Sequence, residues 1–136
     1  MSAHILIIDD EPSILEMMQL ILEEEGGYQV TLAETISEEV TEIERLHHDL
    51  IVLDLKFKSS EFGWELLQKL KLHRGTMSIP IILCTAALGH TREQEVILKQ
   101  KGIPVLYKPF DVDELLAIVR QHLSGEGLLD KVSEHL

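Results

Sequence analysis

The sequence predicts an α/β fold in which five parallel strands form a doubly wound sheet of order 2-1-3-4-5, covered by five helices. Short apolar runs recur along the chain and are continuous rather than alternating, as expected for parallel strands covered on both faces. Helical patterns separate these runs in strict alternation. Right-handed crossovers then give a doubly wound sheet, for which 2-1-3-4-5 is a common strand order. The apolar runs lie near residues 4–8, 28–32, 50–53, 79–84 and 104–107.

Capping and stop signals predict the first two helices. Pro12 suits a first helical turn, and the pair Gly26 and Gly27 provides a stop after that helix. Its apolar stripe consists of Ile14, Met18, Ile21 and Leu22. Thr35 and Glu38 have the spacing of a capping box, which predicts the start of the second helix. The stripe of that helix consists of Ile36, Val40, Ile43 and Leu46.

The other three helices also follow recognisable signals. The third helix is predicted from Leu66, Leu67 and Leu70, which follow Gly63. Thr91 and Gln94 form a second capping box, ahead of the apolar pair Val96 and Ile97. Asp111 is expected to cap the last helix. The apolar stripe of that helix consists of Leu115, Ile118, Val119 and Leu123.

Length and composition are consistent with one domain. A chain of 136 residues with 45% hydrophobic content can bury a normal core. We expect the domain to span residues 1–123. Ser124 and Gly125 with Glu126 and Gly127 are typical of a hinge, which predicts that residues 124–136 form a hinge and a short C-terminal tail.

Charge and cysteine content restrict the partners and the compartment. A formal net charge of -12 argues against direct contact with nucleic acid or an anionic membrane surface, whose phosphates would repel the protein. The single cysteine, Cys84, excludes an internal disulfide and fits a reducing compartment. No leader sequence and no apolar run of roughly 20 residues is present, so we expect a cytoplasmic protein without a membrane span.

Polar residues follow four of the predicted strands. Asp9 and Asp10 come after the first strand, Asp54 after the third, Thr85 after the fourth and Lys108 after the fifth. The carboxyl ends of parallel strands share one edge of the sheet, where ligands of open α/β sheets bind. Three acids, a hydroxyl and an amine are therefore expected around one pocket, a set that suits a divalent cation and a phosphoryl group.

These groups support a specific phosphoryl chemistry. The carboxylate of Asp54 can attack a phosphoryl group and form a mixed anhydride. With Asp9 and Asp10 beside it, three negative charges would be costly without a cation. Mg2+ fits because it binds carboxylates, waters and phosphate oxygens. Lys108 can pair with the phosphoryl oxygens, and Thr85 can donate its hydroxyl to one of them.

Four motifs in the sequence resemble the landmarks of a known family. They are ILIIDDEP at residues 5–12, LDL at 53–55, CTA at 84–86 and YKPF at 107–110. In order, spacing and position at strand ends, they resemble the response regulator receiver domain of two-component signalling. The resemblance extends over residues 3–123.

The resemblance implies a phosphorylation-activated switch. Asp54 would be phosphorylated by a histidine kinase or a histidine phosphotransfer protein. Asp10 would be the main Mg2+ ligand with Asp9 assisting, and the backbone carbonyl of Lys56 would complete the protein ligands. Such a domain is a phosphoacceptor that assists its own phosphotransfer and dephosphorylation rather than an ordinary enzyme. Its signal would pass by protein contact to a downstream protein or a fused output domain.

The sequence departs from the family pattern in two places. Receiver domains usually have a proline four residues and a glycine eight residues after the phosphoacceptor. Here residues 56–60 contain no proline, and Gly63 is nine residues after Asp54. Many relatives also have an aromatic residue three positions before the lysine, where this chain has Val105. Tyr107, two residues on, points to the same face of an ideal strand.

Each of these polar residues is also compatible with a purely structural role. Asp9 and Asp10 could simply complement the dipole of the first helix, Asp54 could be a turn residue, and Thr85 and Lys108 could be ordinary strand and surface residues. A flavodoxin-like cofactor protein is disfavoured because the first βα turn is acidic and lacks a glycine-rich loop. A phosphatase of the haloacid dehalogenase type would need an acid at residue 56. The main alternative is a receiver-like adaptor that is not phosphorylated.

Cysteine and histidine residues offer little support for a further site. Cys84 lies in an apolar strand, which predicts an inert buried thiol. His47 and His48 are adjacent and would not share a helix face, so they make a poor metal pair. We expect His4 at the surface.

Overall fold

Five parallel strands form the centre of the molecule in a computed structural model that describes residues 2–33, 40–56, 60–86 and 91–135. The observed strand order, β2-β1-β3-β4-β5, confirms the predicted topology. The strands are β1 (His4–Ile8), β2 (Gln29–Ala33), β3 (Leu50–Asp54), β4 (Ile81–Ala86) and β5 (Val105–Lys108).

Helices follow the strands in the predicted alternation. The first helix ends in a wider π-helical turn, Ile21–Glu25, just before the two glycines. The helices are α1 (Pro12–Leu20), α2 (Val40–Leu46), α3 (Ser60–Leu72), α4 (Arg92–Gln100) and α5 (Val112–His135).

Two apolar layers cover the two faces of the sheet, which explains why the strand sequences are continuously hydrophobic. Successive side chains of a strand point to opposite faces. Ile5 and Ile7 of β1 therefore pack in one layer with α1 and α5, whereas Leu6 and Ile8 pack in the other with α2, α3 and α4. All four side chains are at most 1% exposed.

Two of the three predicted helix caps are present in the structure. The side chain of Thr91 accepts a hydrogen bond from the Gln94 N–H at 3.1 Å, and the Gln94 side chain accepts one from the Thr91 N–H at 2.9 Å, which confirms that capping box. Asp111 Oδ1 accepts a hydrogen bond from the N–H of Glu114 at 2.8 Å. The predicted box of Thr35 with Glu38 lies outside the described residues.

Four strands differ from the predicted runs by one or two residues, and the shift is largest for β4. Strand β4 spans residues 81–86 rather than 79–84. Pro80 precedes it, and a proline has no N–H to donate to a neighbouring strand. Thr85 consequently lies within the end of β4 rather than after it.

The last helix also differs from the prediction. Helix α5 is continuous through residues 124–127, where the sequence predicts a hinge. The assignment of residues 124–136 to a hinge and a C-terminal tail stays a prediction. Serine and glycine weaken a helix but do not prevent one. Leu123 packs against the α1 and α5 layer, and the limit of the domain at this residue stays a prediction.

Gly63 fixes the approach of α3 to the end of β3. A Cβ atom at this position would overlap the carbonyl group of Leu55 and would lie 3.2 Å from the carbonyl oxygen of Asp54. Only glycine leaves room for this contact without a shift of the backbone. The start of α3 therefore presses directly on the segment that carries Asp54.

Candidate functional site

The carboxyl ends of β1, β3, β4 and β5 bring the predicted site residues together at one edge of the sheet. Ile8, immediately before Asp9, is in register with Leu53, immediately before Asp54. Asp54 is in turn in register with Cys84, and Ala86 with Lys108. Parallel pairing in this register thus aligns the carboxyl ends of these strands, and the alignment brings the site residues together.

One cation contacts two buried carboxylates at this edge. Lys108 Nζ lies 3.2 Å from Asp9 Oδ2 and 3.7 Å from Asp54 Oδ1. The side chains of Asp9 and Asp54 are 2% and 6% exposed, and that of Lys108 is 21% exposed. A sequence separation of 99 residues between Lys108 and Asp9 makes this pair a property of the tertiary fold.

Backbone N–H groups orient both carboxylates. Asp9 Oδ1 accepts a hydrogen bond from the N–H of Glu11 at 2.9 Å. Asp54 Oδ1 accepts one from the N–H of Lys56 at 3.2 Å. Each carboxylate is therefore held in its orientation by an N–H of the turn that follows it. Aspartate side chains commonly accept such a hydrogen bond from the N–H two residues later.

The electrostatic environment of Asp54 is unfavourable for its charge. Burial is the main cause that raises the pKa of Asp54, and the charge of Asp9 adds to it. The Lys108 ammonium and the Lys56 N–H lower the pKa but do not cancel the rise, and Asp10 contributes a further, smaller increase. The site therefore disfavours the charged form of Asp54 relative to water.

The environment of Lys108, by contrast, favours the charged form of its side chain. Burial by itself lowers the pKa of this ammonium, but the carboxylates of Asp54 and Asp9 outweigh it and the pKa is raised overall. Lys108 is accordingly held in its charged form among the acids.

Thr85 lies at the pocket edge with an unused hydroxyl. The residue is 1% exposed, and its Oγ1 has no hydrogen-bond partner within the described part of the chain. A buried hydroxyl without a partner is costly, and native structures rarely keep one without a reason. A ligand oxygen at this edge would provide that partner.

Three acids form a cluster with the composition of a hard-cation site. Asp9, Asp10 and Asp54 each offer an oxygen within 4.8 Å of the others, and no other such group of three occurs among the residues that the structure describes. Asp10 is exposed, so water can complete a coordination shell. Oxygen ligands with access to water fit Mg2+.

Lys56 and Tyr107 extend the description of the site. The observed contact of Lys56 with Asp54 is made by its N–H, and the metal-ligand role of its carbonyl stays a prediction. Tyr107 is in register with Thr85 and is 41% exposed, whereas Val105 packs against the layer of α2, α3 and α4.

Sequence reasoning missed two features. The sequence assigns Lys108 a role toward phosphoryl oxygens and does not indicate its contact with Asp9. His48 is buried, although nothing in its local sequence indicates this. By contrast, the prediction that Cys84 is an inert buried thiol agrees with the structure, because burial raises the pKa of this thiol to about 12.

Comparisons with known proteins agree with the fold and the site geometry. Residues 5–120 match the family described as the response regulator receiver domain. The chain therefore belongs to the receiver domain family of response regulators, and the predicted class is confirmed. None of these comparisons favours the adaptor alternative.

Two curated relatives come from Synechocystis sp. Response regulator Rre1 is 33% identical over 122 residues, which are 90% of this chain and 52% of the relative. The DNA-binding dual master transcriptional regulator RpaA is 34% identical over 133 residues, which are 97% of this chain and 54% of the relative. The chain thus spans about half the length of these curated relatives.

Solved structures of receiver domains are similar over nearly their whole length. A CheY-like receiver domain protein from Methanospirillum hungatei is 30% identical, with a TM-score of 0.78 and coverage of 93% of this chain and 98% of the other. The receiver domain of a sensor histidine kinase from Pseudomonas aeruginosa is 26% identical, with a TM-score of 0.74 and coverage of 91% and 99%. That structure contains a magnesium ion coordinated in its active site cleft.

The described helices do not meet the requirements for crossing a membrane. None of them combines the length and the apolar character that a membrane span requires.

Proposed function

We propose that this receiver domain is a switch activated by phosphorylation of Asp54. The observation that carries the proposal is the contact of one ammonium, Lys108, with both Asp9 and Asp54 at the edge where four strands end. A lone aspartate at a strand end would need no such arrangement. The phosphodonor is a phosphohistidine on a histidine kinase or a histidine phosphotransfer protein, as befits the family.

The phosphotransfer step uses the groups already in place. A carboxylate oxygen of Asp54 attacks phosphorus, the bond from phosphorus to the donor imidazole nitrogen breaks, and the electron pair remains on that nitrogen, which takes up a proton. A mixed anhydride on Asp54 results. Little further covalent chemistry is needed, so positioning and charge neutralisation supply most of the catalysis.

Two side chains would hold the transferred group. Lys108 pairs with a phosphoryl oxygen, a charge-assisted contact that replaces its present contact with Asp54. Thr85 donates its unpartnered hydroxyl to a second oxygen. These two residues lie on β5 and β4, so the phosphoryl group would draw two strand ends toward Asp54.

Asp9, Asp10 and Asp54, with the Lys56 carbonyl, would hold Mg2+. When bound, the ion neutralises the carboxylates and the phosphoryl oxygens. The cluster of three acids in a pocket that raises the pKa of Asp54 supports this assignment. Hydrolysis of the anhydride is proposed to occur in the same pocket, with Lys56 where a phosphatase would have its second acid.

The phosphodonor needs a surface beside the pocket. An apolar cleft of about 360 Å³ lies there, lined by Ile14, Met17, Lys108, Pro109 and Phe110. Lys108 contributes to both the cleft and the acidic pocket. A protein that packs on the cleft would therefore bring its phosphohistidine close to Asp54.

Output is proposed to occur by protein contact, with a separate partner or with a fused output domain. The net charge of -12 disfavours nucleic acid as a direct partner of the receiver itself. RpaA is described as DNA-binding, and this chain covers 54% of its length. A cytoplasmic location is part of the proposal, because phosphodonor kinases of this class act there.

Phosphorylation with a small acyl phosphate tests the assignment. With Mg2+ present, mass spectrometry should detect one added phosphoryl group on the wild-type chain. Asp54→Asn should remove it, whereas the control Asp49→Asn, at the opposite edge of the sheet, should be phosphorylated normally. An equal yield in Asp54→Asn, or a yield unaffected by EDTA, would refute the proposal.

A further inference from the structure

A buried histidine lies at the amino ends of the strands, opposite the acidic pocket. His48 is 7% exposed and stands just before β3. Its Nδ1 is buried and has no hydrogen-bond partner within the described residues. Burial lowers the pKa of His48, with His4 acting in the same direction and Asp49 opposing. The lowered pKa favours the neutral ring, which keeps a nitrogen lone pair.

A second imidazole is held next to His48. The ring centroids of His4 and His48 are 5.7 Å apart, with an angle of 64° between the ring planes. The backbones are tied together at this point, because the His4 N–H donates to Asp49 Oδ2 at 2.8 Å and the Asp49 N–H donates to the His4 carbonyl at 2.8 Å. The backbone positions of the two histidines are thus fixed by the pairing of β1 with the start of β3.

This spacing matches that of two imidazoles on one metal ion. With metal to nitrogen distances of about 2.0–2.1 Å and a tetrahedral angle, the two ring centres are roughly 5 Å apart. His48 is immobilised by burial, whereas the exposed ring of His4 is free to rotate toward it. Binding of one metal ion by both rings would require the exposed ring of His4 to rotate so that one of its nitrogens faces His48.

We propose that His4 and His48 form a binding site for a borderline divalent transition metal, such as Zn2+, Ni2+ or Cu2+, that braces β1 against β3. Imidazole nitrogen suits these ions, whereas Mg2+ prefers oxygen ligands. Water completes the coordination shell, since the described residues contain no third histidine, cysteine or acid close enough to both rings.

The proposed site is independent of the Mg2+ pocket. His4 and His48 lie at the amino ends of β1 and β3, whereas Asp9 and Asp54 lie at the carboxyl ends of the same strands. A transition metal bound by the two histidines would therefore not displace Mg2+. Because it binds the folded chain, it would raise the melting temperature by mass action.

Thermal unfolding of untagged protein with increasing Ni2+, in saturating Mg2+, tests the site. Ni2+ should raise the melting temperature, and EDTA should reverse the rise. His4→Ala removes an exposed ligand and should weaken the apparent Ni2+ affinity by about tenfold or more. The exposed neighbour His47→Asn serves as the matched control and should respond like wild type.

Nuclear magnetic resonance of the histidine rings provides a second readout. Diamagnetic Zn2+ should shift the ring signals of His4 and His48 and leave those of His122 unchanged. No Ni2+ effect in the wild type, an equal effect in His4→Ala, or an effect abolished by Asp10→Asn instead would each overturn the proposal.

Discussion

Lys108 Nζ lies 3.2 Å from Asp9 Oδ2, although β3 and β4 separate their strands in the sheet. Since the same ammonium lies 3.7 Å from Asp54, it neutralises part of the charge that a metal ion would otherwise neutralise. Lys108 and Mg2+ are therefore expected to compete for the carboxylates until a phosphoryl group gives Lys108 another partner.

Replacing Lys108 should strengthen Mg2+ binding and weaken phosphorylation. In Lys108→Met the pocket loses the ammonium that contacts Asp9 and Asp54, so Mg2+ should raise the melting temperature more than in wild type. The gain in binding free energy is on the order of 1 kcal/mol. Calorimetric titration measures it, and an unchanged Mg2+ affinity would show that Lys108 does not compete.

Asp10 should be essential for the effect of Mg2+ on stability. Asp10→Asn removes one charge from the group of three acids, so the rise in melting temperature in millimolar Mg2+ should be abolished or greatly reduced. The exposed Asp113→Asn, in the first turn of α5, is a matched control that should keep the full rise. An undiminished rise in Asp10→Asn would mean that Mg2+ acts elsewhere.

The pH dependence of stability should reveal that the folded protein disfavours the charged form of Asp54. Because its pKa is raised from 3.8 in the folded state, its contribution favours folding at low pH and is lost as the pH rises through the raised value. At pH 7 in EDTA, Asp54→Asn should therefore be more stable than wild type by on the order of 1 kcal/mol.

Urea unfolding at several pH values measures this difference. The gain should shrink as the pH falls toward the usual pKa of an aspartate, where both proteins carry a neutral group at this position. Asp49→Asn, at the opposite edge of the sheet, should lack the gain. A stability difference that does not change with pH would contradict the electrostatic origin of the gain.

Adding one methyl group at Gly63 should disturb the site from a distance. In Gly63→Ala the Cβ would overlap the Leu55 carbonyl, so α3 or the segment after β3 must shift, at a cost of about 1–3 kcal/mol. Phosphorylation should slow as Asp54 is displaced. Gly75→Ala is the control, because the three atoms nearest to its Cβ belong to the side chain of Glu44, which can shift more easily than the backbone, so this change should cost less.

Tyr107 is expected to report the phosphorylated state in place of an aromatic at residue 105. Its register with Thr85 couples it to the hydroxyl that would bind the phosphoryl group. Tyr107→Ala should reduce the ratio of partner affinities between phosphorylated and unphosphorylated protein, whereas Val105→Ala should mainly cost packing stability. A collapse of that ratio in Val105→Ala alone would assign the switch to the valine.

Much of the fold was predictable because strand and helix periodicities alternate without ambiguity. The position of Asp54 at a strand end could be predicted from the apolar run before it, and parallel pairing then implied its neighbours. The cap at Thr91 was predictable for the same reason, since its partner Gln94 is only three residues away. For these residues, short-range sequence signals were sufficient to predict the position, together with the rule that parallel strands end at one edge of the sheet.

Contacts that depend on side-chain reach or strand register were not predictable. The pairing of Lys108 with Asp9 spans two intervening strands and depends on how a long side chain crosses the sheet edge. The burial of His48 beside His4 depends on the register of β1 with β3. The continuation of α5 through residues 124–127 opposed the usual preference of serine and glycine.

The dependence of the pocket on Lys108 has a consequence for protein synthesis. Asp9 leaves the ribosome early and Asp54 later, but the residue that compensates both belongs to the final strand. Until that strand joins the sheet, the nascent domain lacks the ammonium that contacts Asp9 and Asp54 and that would pair with a phosphoryl oxygen. We therefore expect the chain to become competent for phosphorylation only after the sheet is complete, which would protect unfinished chains from premature phosphorylation.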